Sequence, residues 1–395
     1  NRKSLGSVSV SISEWKRPCE IVQNPDLFVD GVDEGDVVQG ALGNCWFLSA
    51  LSVLAQEGIK KIESLFVCAQ PKLGFYGLRF FKDNEWRVVF VDDRLPVKGG
   101  KPAFGGGQDP REFWVALLEK AYAKLHGSYG AIESGSIVDG LVDLTGEAGH
   151  TVKQLEPTKQ FWNRLLLNQK EGFLMGCSST HPSAGAESET AMGILLNHAY
   201  GILVVKEVDG HKLLRIRNPW GRREWKGRWS DGAKEWNAKY RRAFNQVDAD
   251  DGTFHICFED FCRHFNSLYL VRVLTTRSPY DRQRVAGRWS GKSAGGCINN
   301  SSWPNNPQYQ ICPNRRQNVY ISVRQSDKRY AKKSGKASSH SIGYMLFRST
   351  GRLAAYPQQD AMVHMANFID AREYTEEIEL QGNTNYVIIP CTFKS

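Results

Sequence analysis

The chain has 395 residues, of which 41% are hydrophobic, and a formal net charge of +9. This length predicts two or three domains with packed cores, and the composition argues against a disordered chain. No segment approaches the roughly eighteen consecutive apolar residues of a membrane-spanning helix. After residue 280, sixteen Lys and Arg stand against eight Asp and Glu, and the remainder, thirty-five against thirty-four, is nearly neutral. A general nucleic-acid-binding function is therefore not expected.

Nine cysteines are scattered along the chain, an odd number with no CxxC pair. This distribution argues against a disulfide framework and against a zinc site, and it favours a reducing, intracellular setting such as the cytoplasm. The histidines form no HExxH pattern. The start, Asn1–Ser4, has neither an apolar signal segment nor an initiator Met, so we expect this sequence to be a piece of a longer protein.

The first part of the chain reads as a loosely ordered lead-in over residues 1–19, followed by a mostly helical lobe. A buried helix is predicted to begin at Cys45, and a second helix is predicted over residues 111–122. Apolar runs on either side of Asp83-Asn84 predict a β-hairpin between them. These elements are assigned to a first lobe, residues 20–148.

The pattern changes after residue 148. A helix predicted over residues 161–168 is followed by short apolar runs between polar turns, which predict an antiparallel, β-rich second lobe over residues 149–274. Residues 275–279 read as a linker. Beyond them, residues 281–395 carry short alternating strands with Gly, Pro and Asn turns, a spacing typical of a β-sandwich domain.

A function can be argued first from the stretch Gln39–Ala50. Two glycines lead into Cys45 and an apolar run follows at once, so Cys45 is expected at the N-terminus of a buried helix. Unpaired backbone N–H groups and the positive end of the helix dipole favour a thiolate there, and the thiolate is the nucleophilic form of cysteine. A buried structural cysteine before a core helix is the alternative.

The second lobe supplies candidate partners for a nucleophilic Cys45. His198 precedes one predicted strand and Asn218 ends another, so the two side chains are expected at adjacent strand ends. Asn218 would accept a hydrogen bond from the ring of His198, and Trp220 would shield that bond from water. The side chain of Gln39, with the Cys45 N–H, would form an oxyanion hole. Each residue alone also fits a structural role, but their joint occurrence in this order indicates a cysteine protease.

These residues and the runs around them closely resemble calpains, the intracellular calcium-dependent members of the papain-like proteases. The resemblance extends over roughly residues 14 to 274 and is carried by the runs 39–48, 91–96, 113–125, 197–200, 216–221 and 224–229. The runs 287–289, 294–297 and 303–309 resemble the β-sandwich domain of the same family.

The resemblance implies an α+β papain-like two-lobe cysteine protease core followed by an all-β sandwich domain. It also implies a calcium-dependent endopeptidase that cuts protein substrates through an acyl-enzyme on Cys45. Because no EF-hand loop occurs in the sequence, the chain resembles the atypical calpains. By the same resemblance, the backbone at Gly135 would face the substrate in the cleft.

In calpains each lobe of the core binds one Ca²⁺, and binding brings the lobes together. The resemblance implies a first site made by the carbonyls of Val29 and Gly31 and the side chains of Asp36 and Glu112. It implies a second site made by Glu224, Asp231, the Ala249 carbonyl, Asp251 and Thr253.

Two positions depart from the calpain pattern. Thr253 stands where calpains usually have a glutamate, so it offers at most a hydroxyl or a carbonyl to a cation. Glu34 stands where calpains often have an arginine that bridges the lobes to that glutamate. Since both ends of this bridge are missing, we expect that it does not couple the lobes here.

Two other functions remain open at this stage, a non-proteolytic scaffold with the same fold and a Cys-His-type acyl transferase. The presence of all three of Cys45, His198 and Asn218 disfavours a scaffold. An asparagine at position 218, in place of an aspartate, disfavours a transferase. The basic segment 328–336 is a candidate contact for an acidic lipid or an acidic partner, with a solvated loop as the alternative.

Overall fold

The computed structural model describes residues 2–183, 187–274, 280–333, 340–356 and 359–395. The chain folds into two compact units, Asn1–Val273 and Leu274–Ser395. The predicted linker, residues 275–279, lies outside the described residues.

The first lobe combines helices with two small antiparallel sheets, of strand order β1-β5-β6 and β2-β3-β4. Its helices are α1 (Arg2–Leu5), α2 (Pro18–Ile21), α3 (Cys45–Ala55), α4 (Ile59–Glu63), α5 (Trp114–His126) and α6 (Ile137–Thr145). Its strands are β1 (Glu14–Lys16), β2 (Phe66–Gln70), β3 (Phe75–Lys82), β4 (Glu85–Asp92), β5 (Leu95–Lys98) and β6 (Lys101–Pro102).

The predicted β-hairpin is formed by β3 and β4. Asp83 and Asn84 connect these strands with φ angles of 49° and 67°. A type I′ turn, whose backbone matches the twist of the two strands, requires positive φ at both central residues. Asp and Asn tolerate this left-handed conformation better than other non-glycine residues.

The prediction of a loosely ordered lead-in is wrong for residues 14–16. These residues form β1, which pairs antiparallel with β5, and Trp15 lies opposite Pro96. The Ser13 hydroxyl also donates to the carbonyl of Val97 at 2.7 Å. The pairing partner is about eighty residues away in the chain, so the local sequence pattern carried no signal for it.

Helix α3 is the central element of the first unit. All of its residues from Trp46 to Ala55 are buried. It packs against α6 in the first lobe and against strand β9 (His198–Val208) in the second. Two glycines allow this close approach, because a Cβ on Gly140 would lie 2.9 Å from the Cβ of Ala50, and one on Gly201 would lie 2.8 Å from Val53. The helix that presents Cys45 is therefore packed directly against the strand that begins with His198.

The second lobe is built on one six-stranded antiparallel sheet of order β11-β10-β9-β8-β12-β7. Besides β9, its strands are β7 (Gly149–Lys153), β8 (Phe173–Ser179), β10 (His211–Arg217), β11 (Thr253–Cys257) and β12 (Ser267–Arg272). Its helices are α7 (Lys159–Lys170), α8 (Ala238–Phe244) and α9 (Phe258–His264). Strands β9 and β10 are antiparallel neighbours. His198 at the start of β9 and Asn218 just beyond the end of β10 therefore lie side by side at the same end of these two strands.

The second unit is a β-sandwich with one sheet of order β13-β18-β15-β16 and a two-stranded sheet of β14 and β17. Its strands are β13 (Tyr309–Ile311), β14 (Gln317–Arg324), β15 (Ile342–Arg348), β16 (Met362–Met365), β17 (Glu373–Leu380) and β18 (Tyr386–Thr392). Buried side chains from both sheets, among them Ile321, Tyr344 and Leu380, form one shared core.

The basic segment 328–336 is only partly described. Residues Lys328–Lys333 form helix α10, whereas residues 334–336 lie outside the described residues. The Lys328 ammonium pairs with Asp370 at 3.0 Å. Contact of this segment with an acidic lipid or partner stays a prediction. Within the described ranges, none of the helices has both the length and the apolar character required to span a bilayer.

Candidate active site

Cys45 is the first residue of α3, and its side chain is half-buried. The residue before it, Asn44, is fully buried, and its side-chain amide donates to the Glu119 carboxylate at 2.7 Å. The same carboxylate accepts the N–H of Gly105 at 3.0 Å. Glu119 on α5 thus fixes the turn that leads into α3. The Cys45 side chain is thereby held at the N-terminal end of a buried helix.

His198 is buried and is held by the side chain of Asn218. Its Nε2 lies 2.8 Å from Asn218 Oδ1, which also accepts the backbone N–H of Trp220 at 3.0 Å. The Asn218 Nδ2 donates to the carbonyls of Arg222 and Arg223 at 2.8 and 3.0 Å. All of these hydrogen bonds can form together only if the Asn218 amide oxygen faces the ring. Nε2 therefore carries a hydrogen, and Nδ1 lies on the side of the ring away from Asn218.

The Nδ1 side of His198 faces Cys45 and Glu187. The Cys45 Sγ, a ring nitrogen of His198 and a carboxylate oxygen of Glu187 all lie within 4.8 Å of one another, and Nδ1 is 3.3 Å from Glu187 Oε1. Burial lowers the pKa of His198, but hydrogen bonds to Cys45, Glu187 and Asn218 outweigh that effect and raise it to about 9. The imidazolium form is therefore favoured beside the thiol.

Glu187 was not selected from the sequence. It lies eleven residues before His198, in a polar stretch that matches no motif, and its backbone φ is 58°. Its N–H donates to the Leu196 carbonyl at 3.0 Å, and the N–H of Leu196 donates to Ser188 at 2.8 Å. The hairpin that these bonds close carries the Glu187 carboxylate back toward His198, a contact that only the folded chain creates.

Trp220 lies beside the imidazole. The two ring centroids are 5.3 Å apart, at an interplanar angle of 67°, and the indole is half-buried. The Arg223 guanidinium lies over the indole ring, 5.4 Å from its centroid. The indole therefore covers one side of the His198–Asn218 pair.

Gln39 lies at the junction of the lobes, where its backbone N–H donates to the Pro219 carbonyl of the second lobe at 2.8 Å. Its side-chain Nε2 donates to the Leu42 carbonyl at 2.7 Å, which uses one of the two amide hydrogens. Gly135 packs so closely on the indole of Trp46 that a Cβ there would approach ring atoms to 2.4 Å. The oxyanion role of Gln39 and the substrate role of Gly135 stay predictions.

In the first predicted calcium site, Glu112 is hydrogen-bonded to Val29 and lies near the charge of Asp36. The Glu112 carboxylate is buried, and its Oε1 accepts the Val29 N–H at 3.1 Å. Its Oε2 is buried without a hydrogen-bond partner. Burial, with the neighbouring charge of Asp36, raises the pKa of Glu112 to about 7. Gly31, with φ of 108°, follows Val29 in the adjoining turn. An orphaned buried carboxylate oxygen fits a hard cation such as Ca²⁺.

The second predicted calcium site is also acidic, but its carboxylates already accept hydrogen bonds from backbone N–H groups. Glu224 accepts the N–H groups of Asp251 and Gly252 at 3.0 and 2.7 Å, and Asp231 accepts the N–H of Ala249 at 2.8 Å. Burial and the nearby charges of Asp231, Asp251 and Asp250 raise the pKa of Glu224 to about 7. Mutual repulsion of these carboxylates fits a cation between them.

Thr253 fits this second site least well. Its hydroxyl is 3.3 Å from Arg217 Nη1, which also donates to the Asp251 carbonyl at 2.8 Å. A hydroxyl that already accepts from a guanidinium is a poor ligand for a second cation. Three carboxylates, Glu224, Asp231 and Asp251, carry the fit of this site without it.

Position 34 contacts the second lobe through a pair other than the calpain bridge. The Glu34 carboxylate forms an ion pair with Arg215 of β10, with Oε1 and Nη2 3.2 Å apart. Next to it, Arg217 donates to the Gly35 and Val37 carbonyls of the first lobe at 2.9 and 3.3 Å. The lobes are therefore joined by a different pair, with the acidic partner on the first lobe and the basic partner on the second.

Comparison with known proteins agrees with this geometry. Residues 1–272 match the family model of the calpain family cysteine protease, and residues 285–395 match that of the calpain large subunit, domain III. The chain is 39% identical to the calpain-type cysteine protease ADL1 of Oryza sativa subsp. japonica, over 96% of this chain and 19% of that protein.

Animal relatives match over the same part of the chain. The chain is 33% identical to calpain-9 of Mus musculus, over 96% of this chain and 59% of the relative, and 33% identical to calpain-5 of the same organism, over 67% of that relative. The chain thus spans about a fifth of the plant relative and about three fifths of calpain-9. With both family models matched along its length, the chain belongs to the calpain family of cysteine proteases.

Proposed function

We propose that this chain is a calcium-dependent cysteine endopeptidase that makes limited cuts in protein substrates through an acyl-enzyme on Cys45. The observation that carries the proposal is the convergence of Cys45 of the first lobe with His198 and Asn218 of the second. The Cys45 Sγ lies within 4.8 Å of a His198 ring nitrogen, and Nε2 of the same ring is 2.8 Å from Asn218 Oδ1. The pKa of His198, raised to about 9, keeps its imidazole protonated near neutral pH, as a proton donor beside the nucleophile must be.

In the proposed reaction the Cys45 thiolate attacks the carbonyl carbon of the scissile peptide bond. The imidazolium of His198 gives its Nδ1 proton to the departing amide nitrogen, which leaves an acyl-enzyme. A water molecule then loses a proton to Nδ1 as it attacks the thioester. Thiolate leaves, the carboxylic acid product is released, and the proton on His198 restores the starting pair.

Asn218 acts in this scheme by orientation. Its amide oxygen holds the Nε2 hydrogen, so Nδ1 is directed at the Cys45 thiol in every step. Trp220 covers the hydrogen bond on one side. We assign the oxyanion to the Cys45 N–H and the remaining amide hydrogen of Gln39, and the substrate backbone contact to Gly135.

Calcium would be held in the first lobe by Val29, Gly31, Asp36 and Glu112, and in the second by Glu224, Asp231, Ala249 and Asp251. The ion would supply positive charge that relieves repulsion among buried carboxylates. The buried, unpartnered Oε2 of Glu112 and its raised pKa support the first site. The clustered carboxylates support the second, with Thr253 as an outer residue.

A cytoplasmic setting is part of the same proposal. All nine cysteines are free, and four of them, Cys177, Cys257, Cys297 and Cys391, are buried. Free thiols persist in a reducing compartment.

The decisive experiment compares proteolysis of an unstructured protein such as casein by the wild-type chain and by Cys45→Ala, with and without Ca²⁺. We expect calcium-stimulated cleavage by the wild type and none by the variant. Cys68→Ala, which removes another half-buried thiol, is the matched control and should cleave normally. Calcium-stimulated cleavage by Cys45→Ala would refute the assignment of the nucleophile.

The same samples separate the two alternative functions. A scaffold would show no calcium-dependent alkylation of Cys45 by iodoacetamide and no cleavage. In an acyl transferase, iodoacetamide would alkylate Cys45, but the reaction with protein would yield isopeptide crosslinks between chains instead of shorter fragments.

A further inference from the structure

Three side chains of different donor type converge at the mouth of the active site. The Cys45 Sγ, a His198 ring nitrogen and a Glu187 carboxylate oxygen lie within 4.8 Å of one another. The proposed peptidase reaction uses the first two and assigns no part to Glu187. A sulfur, a nitrogen and an oxygen ligand with one further open position is the donor set of a zinc site with a bound water.

We propose that Cys45, His198 and Glu187 form a binding site for Zn²⁺ that holds the enzyme in a reversibly blocked state. The spacing supports this directly. Zinc bonds of about 2.0–2.2 Å to nitrogen and oxygen at tetrahedral angles place those two atoms about 3.4 Å apart. The observed distance between His198 Nδ1 and Glu187 Oε1 is 3.3 Å.

Hydrogen bonds around His198 fix the orientation of its ring, as expected for a metal ligand. A histidine that binds a metal commonly donates its other ring N–H to an oxygen that fixes the tautomer. Here Nε2 lies 2.8 Å from Asn218 Oδ1, and the ring of His198 is buried. Asn218 is itself held by bonds to the backbone of three residues, Trp220, Arg222 and Arg223. Nδ1 is thus aimed at the space between Cys45 and Glu187, and a zinc ion bound there would displace the Nδ1 proton.

Glu187 is anchored and yet reachable by solvent. Its backbone N–H is bonded to Leu196 at 3.0 Å, while 29% of its side chain is exposed. Cys45 is half-buried. An ion can therefore enter from the solvent side and keep a water as its fourth ligand, without any change at the buried His198 ring.

The chemistry of the ligands favours zinc over calcium. Thiolate and imidazole are preferred by Zn²⁺, whereas Ca²⁺ takes six to eight oxygen ligands. The two predicted calcium sites offer only oxygen atoms. Calcium should therefore leave the Cys45 cluster free, and zinc bound there would occupy both the sulfur lone pair and the Nδ1 lone pair. No nucleophile and no proton carrier would remain.

Zinc binding is measured on the whole chain, in constant Ca²⁺, by competition with a chromogenic zinc chelator. We expect one zinc per chain in this site, with affinity at least a hundredfold lower in Cys45→Ala and about tenfold lower in Glu187→Gln. Glu189→Gln is the matched control, because this carboxylate is two residues away but pairs with Arg223 and Lys226. Its zinc affinity should equal that of the wild type.

Two further readouts need no proteolysis. Co²⁺ in place of zinc should give an intense thiolate-to-metal absorption band that Cys45→Ala lacks, and zinc should slow the alkylation of Cys45 by iodoacetamide. Equal zinc affinity of Glu187→Gln and wild type would overturn the three-residue site, as would undiminished alkylation of Cys45 at saturating zinc. The blocking role rests on the proposed function, so a chain that binds zinc at Cys45 but never cleaves protein would refute that function and the block, and would leave only the three-residue zinc site standing.

Discussion

Glu34 of the first lobe and Arg215 of the second form an ion pair across the cleft, with Oε1 and Nη2 3.2 Å apart. The pair joins the segment before Gln39 to strand β10, which ends immediately before Asn218. It therefore links the two halves of the candidate active site. Arg217, two residues along β10, adds hydrogen bonds to the Gly35 and Val37 carbonyls in the same place.

Reversing one charge of this pair should destabilise the core, and reversing both should restore it. Glu34→Arg would place a third positive charge beside Arg215 and Arg217. Both side chains of the pair are partly exposed, at 17% and 27%, so a double-mutant cycle should give a coupling free energy of about 0.5–1 kcal/mol. The measurement is the free energy of unfolding in urea for Glu34→Arg, Arg215→Glu and the double variant.

The control for this cycle is the ion pair of Asp209 and Lys239, which lies within the second lobe and does not bridge the cleft. Its reversal should leave the calcium-stimulated rate of proteolysis unchanged, whereas Glu34→Arg should lower that rate. A zero coupling energy for Glu34 and Arg215 at low salt would show that the pair does not join the lobes in solution.

Glu119 should make the stability of the protease core depend on pH. Burial raises the pKa of this carboxyl to about 7, against the hydrogen bonds from Asn44 and Gly105. Burial, together with the charges of Glu119 and Asp92, raises the pKa of the nearby Tyr129. A raised carboxyl pKa means that the folded state holds the proton more tightly, so its contribution is complete below pH 4.5 and is lost as pH rises through 7. The loss amounts to about 3 kcal/mol, because each pKa unit corresponds to about 1.4 kcal/mol.

Glu119→Gln removes this ionisation and should reduce the fall in unfolding free energy between pH 5 and pH 8 by about 2–3 kcal/mol. Urea unfolding at the two pH values measures the difference. Glu57→Gln, at an exposed position, is the matched control and should behave as the wild type does. An identical pH dependence in Glu119→Gln and wild type would contradict the raised pKa.

Glu112 and Thr253 should differ sharply in their effect on calcium binding. Glu112→Gln removes the charge of the buried carboxylate whose Oε2 lacks a hydrogen-bond partner, so calcium affinity at the first site should fall about tenfold or more. Thr253→Ala should leave the number of bound ions and their affinities unchanged, because its hydroxyl accepts from Arg217. Isothermal titration calorimetry with Ca²⁺ measures both.

The Thr253→Ala result is informative only beside a ligand variant from the same lobe. Asp231→Asn serves this purpose, since its carboxylate is the partner of the Ala249 N–H in the second acidic cluster. Loss of one bound calcium in Thr253→Ala but not in Asp231→Asn would reverse our interpretation of the second site.

Much of the architecture could be predicted from local patterns. The apolar run after Cys45 predicted helix α3, and the Asp83-Asn84 pair predicted the turn between β3 and β4, because both patterns follow from nearest-neighbour backbone preferences. The lead-in was misjudged, since β1 exists only through pairing with β5 far along the chain.

The sequence by itself determined which residues carry the chemistry of this protein. A cysteine before an apolar helix, a histidine before one strand and an asparagine after another identify Cys45, His198 and Asn218 as candidates. Only the tertiary structure decided what surrounds them. Glu187 approaches His198, and Glu34 approaches Arg215 over a separation of more than 180 residues, because the hairpin and the packed lobes bring these charges together. The first contact depends on a hairpin that matches no motif and the second on long-range packing, and local periodicity records neither.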